Sequence, residues 1–162
     1  MSGAADRPSL GAFRLERPIG AGGQGTVWRA VHTATGTPVG VKVLASMRAR
    51  DEAALAAFRR EVRSAAGLDH PGVIMVLDQG RVPAGLEAHS GLAEGSPWLA
   101  MELARTSLDA VPGPYPWAET RALLGSLLDS LGHAHARGLV HRDIKPANVL
   151  FMEAPRGPAG LS

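Results

Sequence analysis

From Phe13 onward, apolar and polar residues take turns along the chain. Residues 13–19 (Phe-Arg-Leu-Glu-Arg-Pro-Ile) alternate, a glycine cluster follows, and 26–31 (Thr-Val-Trp-Arg-Ala-Val) alternate again. Thr35-Gly36 supplies a turn, and 38–44 (Pro-Val-Gly-Val-Lys-Val-Leu) form a third stretch of the same kind. Successive side chains of a strand point to opposite faces, so this pattern predicts three strands in an antiparallel meander. Then the period changes. Behind Asp51, the residues Leu55, Phe58, Val62 and Ala65/Ala66 recur at spacings of three and four, which predicts a helix over 51–66 ended by Gly67. His70-Pro71-Gly72 marks a turn, and 73–78 and 98–103 read as a fourth and a fifth strand. Between these two, 81–97 is rich in Gly, Ala and Pro and reads as a surface loop or extended hairpin. After a Pro/Gly connector at 110–116 comes the strongest helical pattern, 117–137. Leu123, Leu124, Leu127, Leu128, Leu131 and Ala134/His135 fall on one side of it, with Gly138 as C-cap. Residues 139–140 and 149–151 read as short strands bracketing 141–148.

This order predicts an α+β chain in two lobes. A disordered leader at 1–11 is followed by a sheet lobe at 12–103, a five-stranded antiparallel sheet plus one helix. The start of a helical lobe occupies 104–162. The chain has 162 residues, enough for one domain with a real core. It is 45% hydrophobic and 20% charged, an ordinary balance for a water-soluble fold. The formal charge is only +2, and no run of Lys and Arg invites nucleic acid. Cysteine is absent, which excludes disulfides and thiolate metal sites. Residues 1–11 lack the apolar core of a signal peptide, and no apolar run approaches the roughly 20 residues needed to span a bilayer. The expected location is cytoplasmic, with no membrane segment.

One compositional bias changes the picture. The chain has two lysines, Lys42 and Lys145, among 17 Lys and Arg residues, and one asparagine, Asn148. An ammonium is a compact point charge and a guanidinium a wide planar fork, so a site beside a phosphate could require the former. Each exception has telling surroundings. Gly20-Ala21-Gly22-Gly23-Gln24-Gly25-Thr26-Val27 spells G-x-G-x-x-G-x-V. A dinucleotide fingerprint needs its glycines to open a helix. Here they sit between two strands and cap a hairpin, which lets the backbone lie close over a polyphosphate or serves only as a turn. In Val39-Gly40-Val41-Lys42, alternation sets the valines on one face and Gly40 and Lys42 on the other. A lysine within an apolar strand calls for a counter-charge, and Glu61 is the candidate. The alternative is a lysine whose stem lies along the sheet while its head reaches water. The third motif is His141-Arg142-Asp143-Ile144-Lys145-Pro146-Ala147-Asn148.

That loop resembles the H-R-D-x-K-x-x-N catalytic loop of protein kinases, and the three motifs stand in kinase order. Both lysines and the lone asparagine fall on positions this pattern uses. The resemblance implies a protein-kinase-like fold and the following roles. Ile19, Gly20, Ala21, Gly22, Gly23, Gln24 and Gly25 with Val27 form a flap over ATP, its phosphates under the glycines and the adenine against Val27. Lys42 binds the α- and β-phosphates and pairs with Glu61. Met101 is similar to the gatekeeper. Glu102 and Leu103 are similar to the hinge whose backbone holds the adenine edge, and Leu150 forms the floor below it. Asp143 accepts the proton of the substrate hydroxyl, Lys145 neutralises charge on the transferred phosphate, and Asn148 ligates one Mg²⁺. The implied cofactors are ATP and Mg²⁺, and the implied partner a protein with serine or threonine hydroxyls. Lys145-Pro146 resembles the serine/threonine type, and Gly23 to Ala30 its bacterial branch. His133 and His135, two apart on a helix, point to different sides and make no metal pair. His141 resembles a structural residue of the loop, and Trp28, Trp98 and Trp117 read as packing residues.

The resemblance breaks in one respect. Kinases of this pattern hold their main Mg²⁺ with the aspartate of a D-F-G, and none occurs in these 162 residues. The sequence therefore reads as the front of a kinase domain, stopping before D-F-G, with phosphotransfer by these residues alone expected to be negligible. Two alternatives stand beside that reading. One is a non-catalytic, kinase-derived ATP-binding or interaction module, against which the intact Lys42, Asp143, Lys145 and Asn148 weigh. The other is a small-molecule phosphotransferase, against which Arg142 and Lys145 weigh.

Overall fold

The computed structural model describes residues 7–22, 25–45, 51–53, 55–56, 60, 67–86 and 92–152. Among these, eight strands form: β1 Ser9–Leu10, β2 Phe13–Gly22, β3 Gly25–His32, β4 Pro38–Leu44, β5 Val76–Arg81, β6 Pro97–Glu102, β7 Thr106–Ser107 and β8 Leu150–Phe151. The first six make one antiparallel sheet in the order β1-β2-β3-β4-β6-β5, and β7 and β8 pair separately. The chain divides into two compact units. One comprises 1–66 and 75–103, the other 67–74 and 104–162.

The meander forms where the alternation predicts it, and β4 has the expected bounds. The main sheet nevertheless has six strands where the sequence pattern gives five. Residues 9–11, assigned above to a leader, form β1 and the turn into β2, with Leu10 fully buried. A two-residue strand is too short to show alternation, which is why it escapes a periodic reading. The fourth predicted strand starts later than expected, at Val76. Residues 139–140 form no strand, while 150–151 do, paired with Thr106–Ser107.

Cross-strand partners share a face of a sheet, and here that sorts two sets of residues. Leu15, Ala30 and Val39 are successive partners, and Val41 faces Ala100. These side chains join Leu10, Phe13, Val43 and Trp98 in the main apolar core. The opposite face carries the row Gly20, Val27, Lys42 and Leu99, and beside it Gly40 opposite Met101. On that face Leu44 and Leu99 pack with Leu55 of the helix begun by Asp51. Asp51 caps that helix in the expected way, its carboxylate accepting from the Ala53 N–H at 2.9 Å. The helix is described at Glu52, Ala53, Leu55, Ala56 and Arg60.

In the second unit the long helix runs Trp117–His135. The chain leaves it through a Schellman arrangement. Leu139 N–H donates to the Ala134 carbonyl and Gly138 N–H to that of His135, with Gly138 at φ +73°. The turn at 70–72 lies against this helix. A Cβ on Gly72 would sit 2.0 Å from Ser130 Oγ, so only glycine allows the approach. Among the described residues, no helix is long and apolar enough to cross a membrane.

Candidate functional site

The glycine hairpin joins β2 to β3 with Gly22 opposite Gly25, and its tip, Gly23 and Gln24, lies outside the described residues. The three motif glycines have different reasons. Gly25 has φ +141°, and a Cβ there would stand 2.1 Å from the Val43 carbonyl oxygen, so the return strand itself demands glycine. Among the described residues, a Cβ on Gly20 or Gly22 would meet nothing within 4 Å. Packing does not call for those two, which leaves their exposed backbone open to approach. Ile19 and Ala21 are also exposed, and Val27 is half-buried.

Lys42 is half-buried in the middle of β4, opposite Val27 on one side and Leu99 on the other. Sheet register thus brings Gly20, Val27 and Lys42 into one row on one face. The expected partner Glu61 lies outside the described residues. Met101 and Glu102 close β6, and Leu103 follows. Glu102 grips the segment before β5 twice. Its N–H donates to the Met75 carbonyl at 3.1 Å, and its carboxylate accepts from the Met75 N–H at 3.0 Å.

In the second unit, the 141–148 loop is fixed at both ends. The Schellman turn precedes it. After it, Leu108 N–H donates to the Val149 carbonyl and Arg105 N–H to that of Phe151, beside the β7–β8 pair. A 3₁₀ turn, Pro146–Asn148, tightens the loop, with proline at its start where a missing N–H costs nothing. Within the loop, Arg142 takes φ +64°, a conformation that L-residues with a Cβ seldom adopt. Asp143 N–H then reaches His141 Nδ1 at 3.3 Å. No sequence signal announces Arg142, because arginine has no preference for that region. Leu150, in β8, is exposed.

Asp143, Lys145 and Asn148 meet. Lys145 Nζ is 2.9 Å from Asp143 Oδ2. The Asn148 side-chain amide donates to the same oxygen at 3.0 Å and to the Asp143 carbonyl at 2.7 Å. The hydrogen bonds from Lys145 and then Asn148 hold the Asp143 pKa below the usual carboxylate value. The group is therefore ionised at neutral pH. Its charged contacts converge on Oδ2, so Oδ1 is the oxygen left to accept a proton. With both amide hydrogens of Asn148 committed, its carbonyl oxygen is the atom able to serve a cation. One amide oxygen makes a thin donor set for Mg²⁺, which takes carboxylate and phosphate oxygens together. Among the described residues no group of three or more His, Cys, Asp or Glu is disposed to hold a metal. These residues fit one corner of a magnesium site.

The sequence reading missed a cluster in the second unit. His70 Nε2 is 3.1 Å from Asp129 Oδ2, and the His70 and His133 rings lie 4.8 Å apart. His70 precedes Asp129 by 59 positions, so no local pattern could signal the contact.

Comparison with known proteins identifies the family. A family model described as the protein kinase domain matches residues 13–156. Serine/threonine-protein kinase PknJ of Mycobacterium tuberculosis is 37% identical over 150 residues, covering 90% of this chain and 23% of the relative. PknA of the same species is 39% identical over 145 residues, covering 87% of this chain and 32% of the relative. The chain thus spans between about a quarter and a third of the length of these relatives. Crystal structures of the M. tuberculosis PknI kinase domain superpose with a TM-score of 0.71 at 28% identity, covering 91% of this chain and 57% of that one. The family match spans the glycine hairpin, the lysine at the centre of β4 and the loop that holds Asp143, and the chain belongs to the protein kinase domain family, with bacterial serine/threonine kinases among its relatives.

Proposed function

We propose that this chain supplies the nucleotide-binding lobe and catalytic loop of an ATP-dependent serine/threonine protein kinase that acts in signalling. The observation that carries the reading is the grip of Lys145 and Asn148 on Asp143 Oδ2. It keeps a carboxylate ionised, aimed and with one oxygen to spare. In the reaction the substrate hydroxyl oxygen forms a bond to the γ-phosphorus while the bond from that phosphorus to the bridging oxygen breaks. The hydroxyl proton passes to Asp143 Oδ1, and ADP leaves with the bridging oxygen. Lys145, half exposed at the loop surface, would neutralise the charge on the transferred group. The backbone at Gly20 and Gly22 offers N–H groups to the phosphates, and Lys42 adds the compact charge they need. The Glu102 and Leu103 backbone is the edge for adenine, with Val27 and Leu150 as apolar contacts. Mg²⁺, when bound, neutralises phosphate charge, and the carbonyl oxygen of Asn148 is this chain's contribution to holding it. Lys145-Pro146 supports serine or threonine as acceptor. ATP as phosphate donor goes with a cytoplasmic site.

The test is phosphorylation of a generic serine/threonine substrate by the full-length protein with Mg-ATP, alongside Asp143→Asn. Transfer that depends on Asp143 supports the reading. Nucleotide binding with no transfer under any activating condition would make the chain a binding module instead.

A further inference from the structure

The 70–72 turn rests on the long helix through two histidines, and both use the same ring atom in the same way. His70 Nδ1 accepts from the Gly72 N–H at 3.0 Å. The proton of the neutral ring therefore sits on Nε2, which lies 3.1 Å from Asp129 Oδ2 and donates to it. His133 Nδ1 lies 3.2 Å from Arg137 Nη1, and a guanidinium can only donate, so this Nδ1 accepts as well. Its own proton is on Nε2, which is buried without a hydrogen-bond partner among the described residues. The two rings lie 4.8 Å apart, tilted by 45°.

A second proton can enter either ring at Nδ1 alone, and there it meets an N–H that already points at the same atom. On His70 it displaces the Gly72 amide and removes the acceptor that closes the turn. On His133 it sets a new cation against the Arg137 guanidinium. The charged groups facing His133 are Arg137 and Asp129 on its own helix and His70 and Asp69 on the turn. Burial, Arg137 and His70 oppose a proton there, and the two carboxylates favour it. Asp129 is 78% exposed, so water screens much of its compensation. Arg137 also donates to the His133 carbonyl at 3.2 Å, in the last turn before Gly138 and the 141–148 loop.

We infer that His70 and His133 form a proton-operated latch: with both rings neutral the 70–72 turn is held on the long helix, and protonation at Nδ1 releases it. The latch rests on this geometry alone and operates whether or not the chain transfers phosphate. Imidazoles titrate near pH 6.5, so it opens as pH falls from neutrality toward about 5.5. Asp143 takes no part, because its carboxyl is held below the usual carboxylate value and stays ionised over that range.

The test is amide hydrogen exchange of the full-length protein at pH 7.5 and 5.5, corrected for the intrinsic pH dependence of exchange. The reporters are the Gly72 N–H, bonded to the His70 ring, and the Val73 N–H, bonded to the His70 carbonyl. Amides of β3 and β4 serve as controls. Protection at Gly72 and Val73 is expected to fall by about tenfold or more, as one proton taken up on opening requires for each pH unit below the titration, while the controls hold. His70→Asn should keep the turn, because its side-chain carbonyl can accept the same N–H without titrating, and should remove most of the pH dependence. His133→Phe leaves the Gly72 acceptor in place and should reduce the dependence by itself, so the test stays decisive if His70→Asn fails to hold the turn. Equal protection at the two pH values overturns the latch. So does a fall shared by β3 and β4, which is global acid unfolding, or one that persists undiminished in the variants.

Discussion

The six-stranded sheet and the second unit are held together by opposite means. In the sheet, Leu10, Leu15, Val39, Val41 and Ala100 are all no more than 1% exposed, and the core is a continuous apolar cluster. In the second unit the long helix buries only Ser130 and Ala134, while Leu128 is 68% and Trp117 72% exposed in this chain. What orders the 141–148 loop is polar: the Schellman turn, the pairing of β7 with β8 and the grip of Lys145 and Asn148 on Asp143. Stability should therefore respond to apolar truncation in the sheet, and chemistry to polar changes in the loop.

The widest separation is expected at Asp143. Replacing it with Asn keeps the shape and removes the proposed proton acceptor. Phosphotransfer by the full-length protein should fall by about 10²- to 10⁴-fold, the range for a positioned general base. Because the carboxylate is half exposed, the melting temperature should hardly move. A large drop in melting temperature would show that the loop carries fold stability as well and would break the comparison.

The reverse separation is expected in the sheet. Leu15→Ala removes a fully buried side chain and should cost about 2–5 kcal/mol in denaturant unfolding. Leu128→Ala, on the exposed helix face, should stay within about 0.5 kcal/mol in a polypeptide of these 162 residues. If Leu128→Ala proves as costly as Leu15→Ala, the exposed helix face carries stability and the comparison fails.

The difference between the regions also explains what the sequence made legible. Val39, Val41 and Lys42 could be assigned to faces because alternation over β4 is a local signal of folded geometry. The helix at 117–135 was legible for the same reason, through its leucines. Strand β1 was not, because two residues cannot display a period, and neither was β7, whose partner lies beyond residue 149. At the site, the motif residues Asp143, Lys145 and Asn148 could be named from spacing and family resemblance, and they meet. The conformation of Arg142 and the clasp between Glu102 and Met75 could not, since both arise from tertiary constraint on residues with no matching preference.

A subtler probe of the loop is Asn148→Ala. It removes two hydrogen bonds to Asp143, one on the carboxylate, and so the second cause of its lowered pKa. The Asp143 carboxyl should then titrate at higher pH, which its side-chain carbon shift in an NMR titration would report. The sign follows from linkage. A depressed carboxyl contributes stability that is present above the unfolded value near pH 4 and lost as pH falls through the folded one. Asn148→Ala should therefore reduce that acid-side stability. A titration unchanged by the substitution would assign the shift to Lys145 alone.

The smallest expected effect lies in the His70–His133 cluster. Arg137 Nη1 is 3.2 Å from His133 Nδ1, and a guanidinium can only donate, so Nδ1 accepts and the neutral ring carries its proton on Nε2. Among the described residues that Nε2 is buried without a hydrogen-bond partner. Desolvation, then the charges of Arg137 and His70, lower the His133 pKa, and Asp129 and Asp69 oppose the shift. A histidine held neutral by its fold binds fewer protons than the same residue unfolded, so stability is full above the unfolded value near pH 6.5 and declines as pH falls below it. Stability measured by urea unfolding between about pH 7.5 and 5.5 should thus slope downward toward acid, and His133→Phe should flatten part of that slope. The substitution keeps a planar ring over His70 and removes the titrating nitrogens. Arg137→Gln should also flatten it, by removing the cation that repels the protonated ring. If neither substitution changes the slope, the pH dependence arises elsewhere and the cluster serves only to hold the 70–72 turn on the helix.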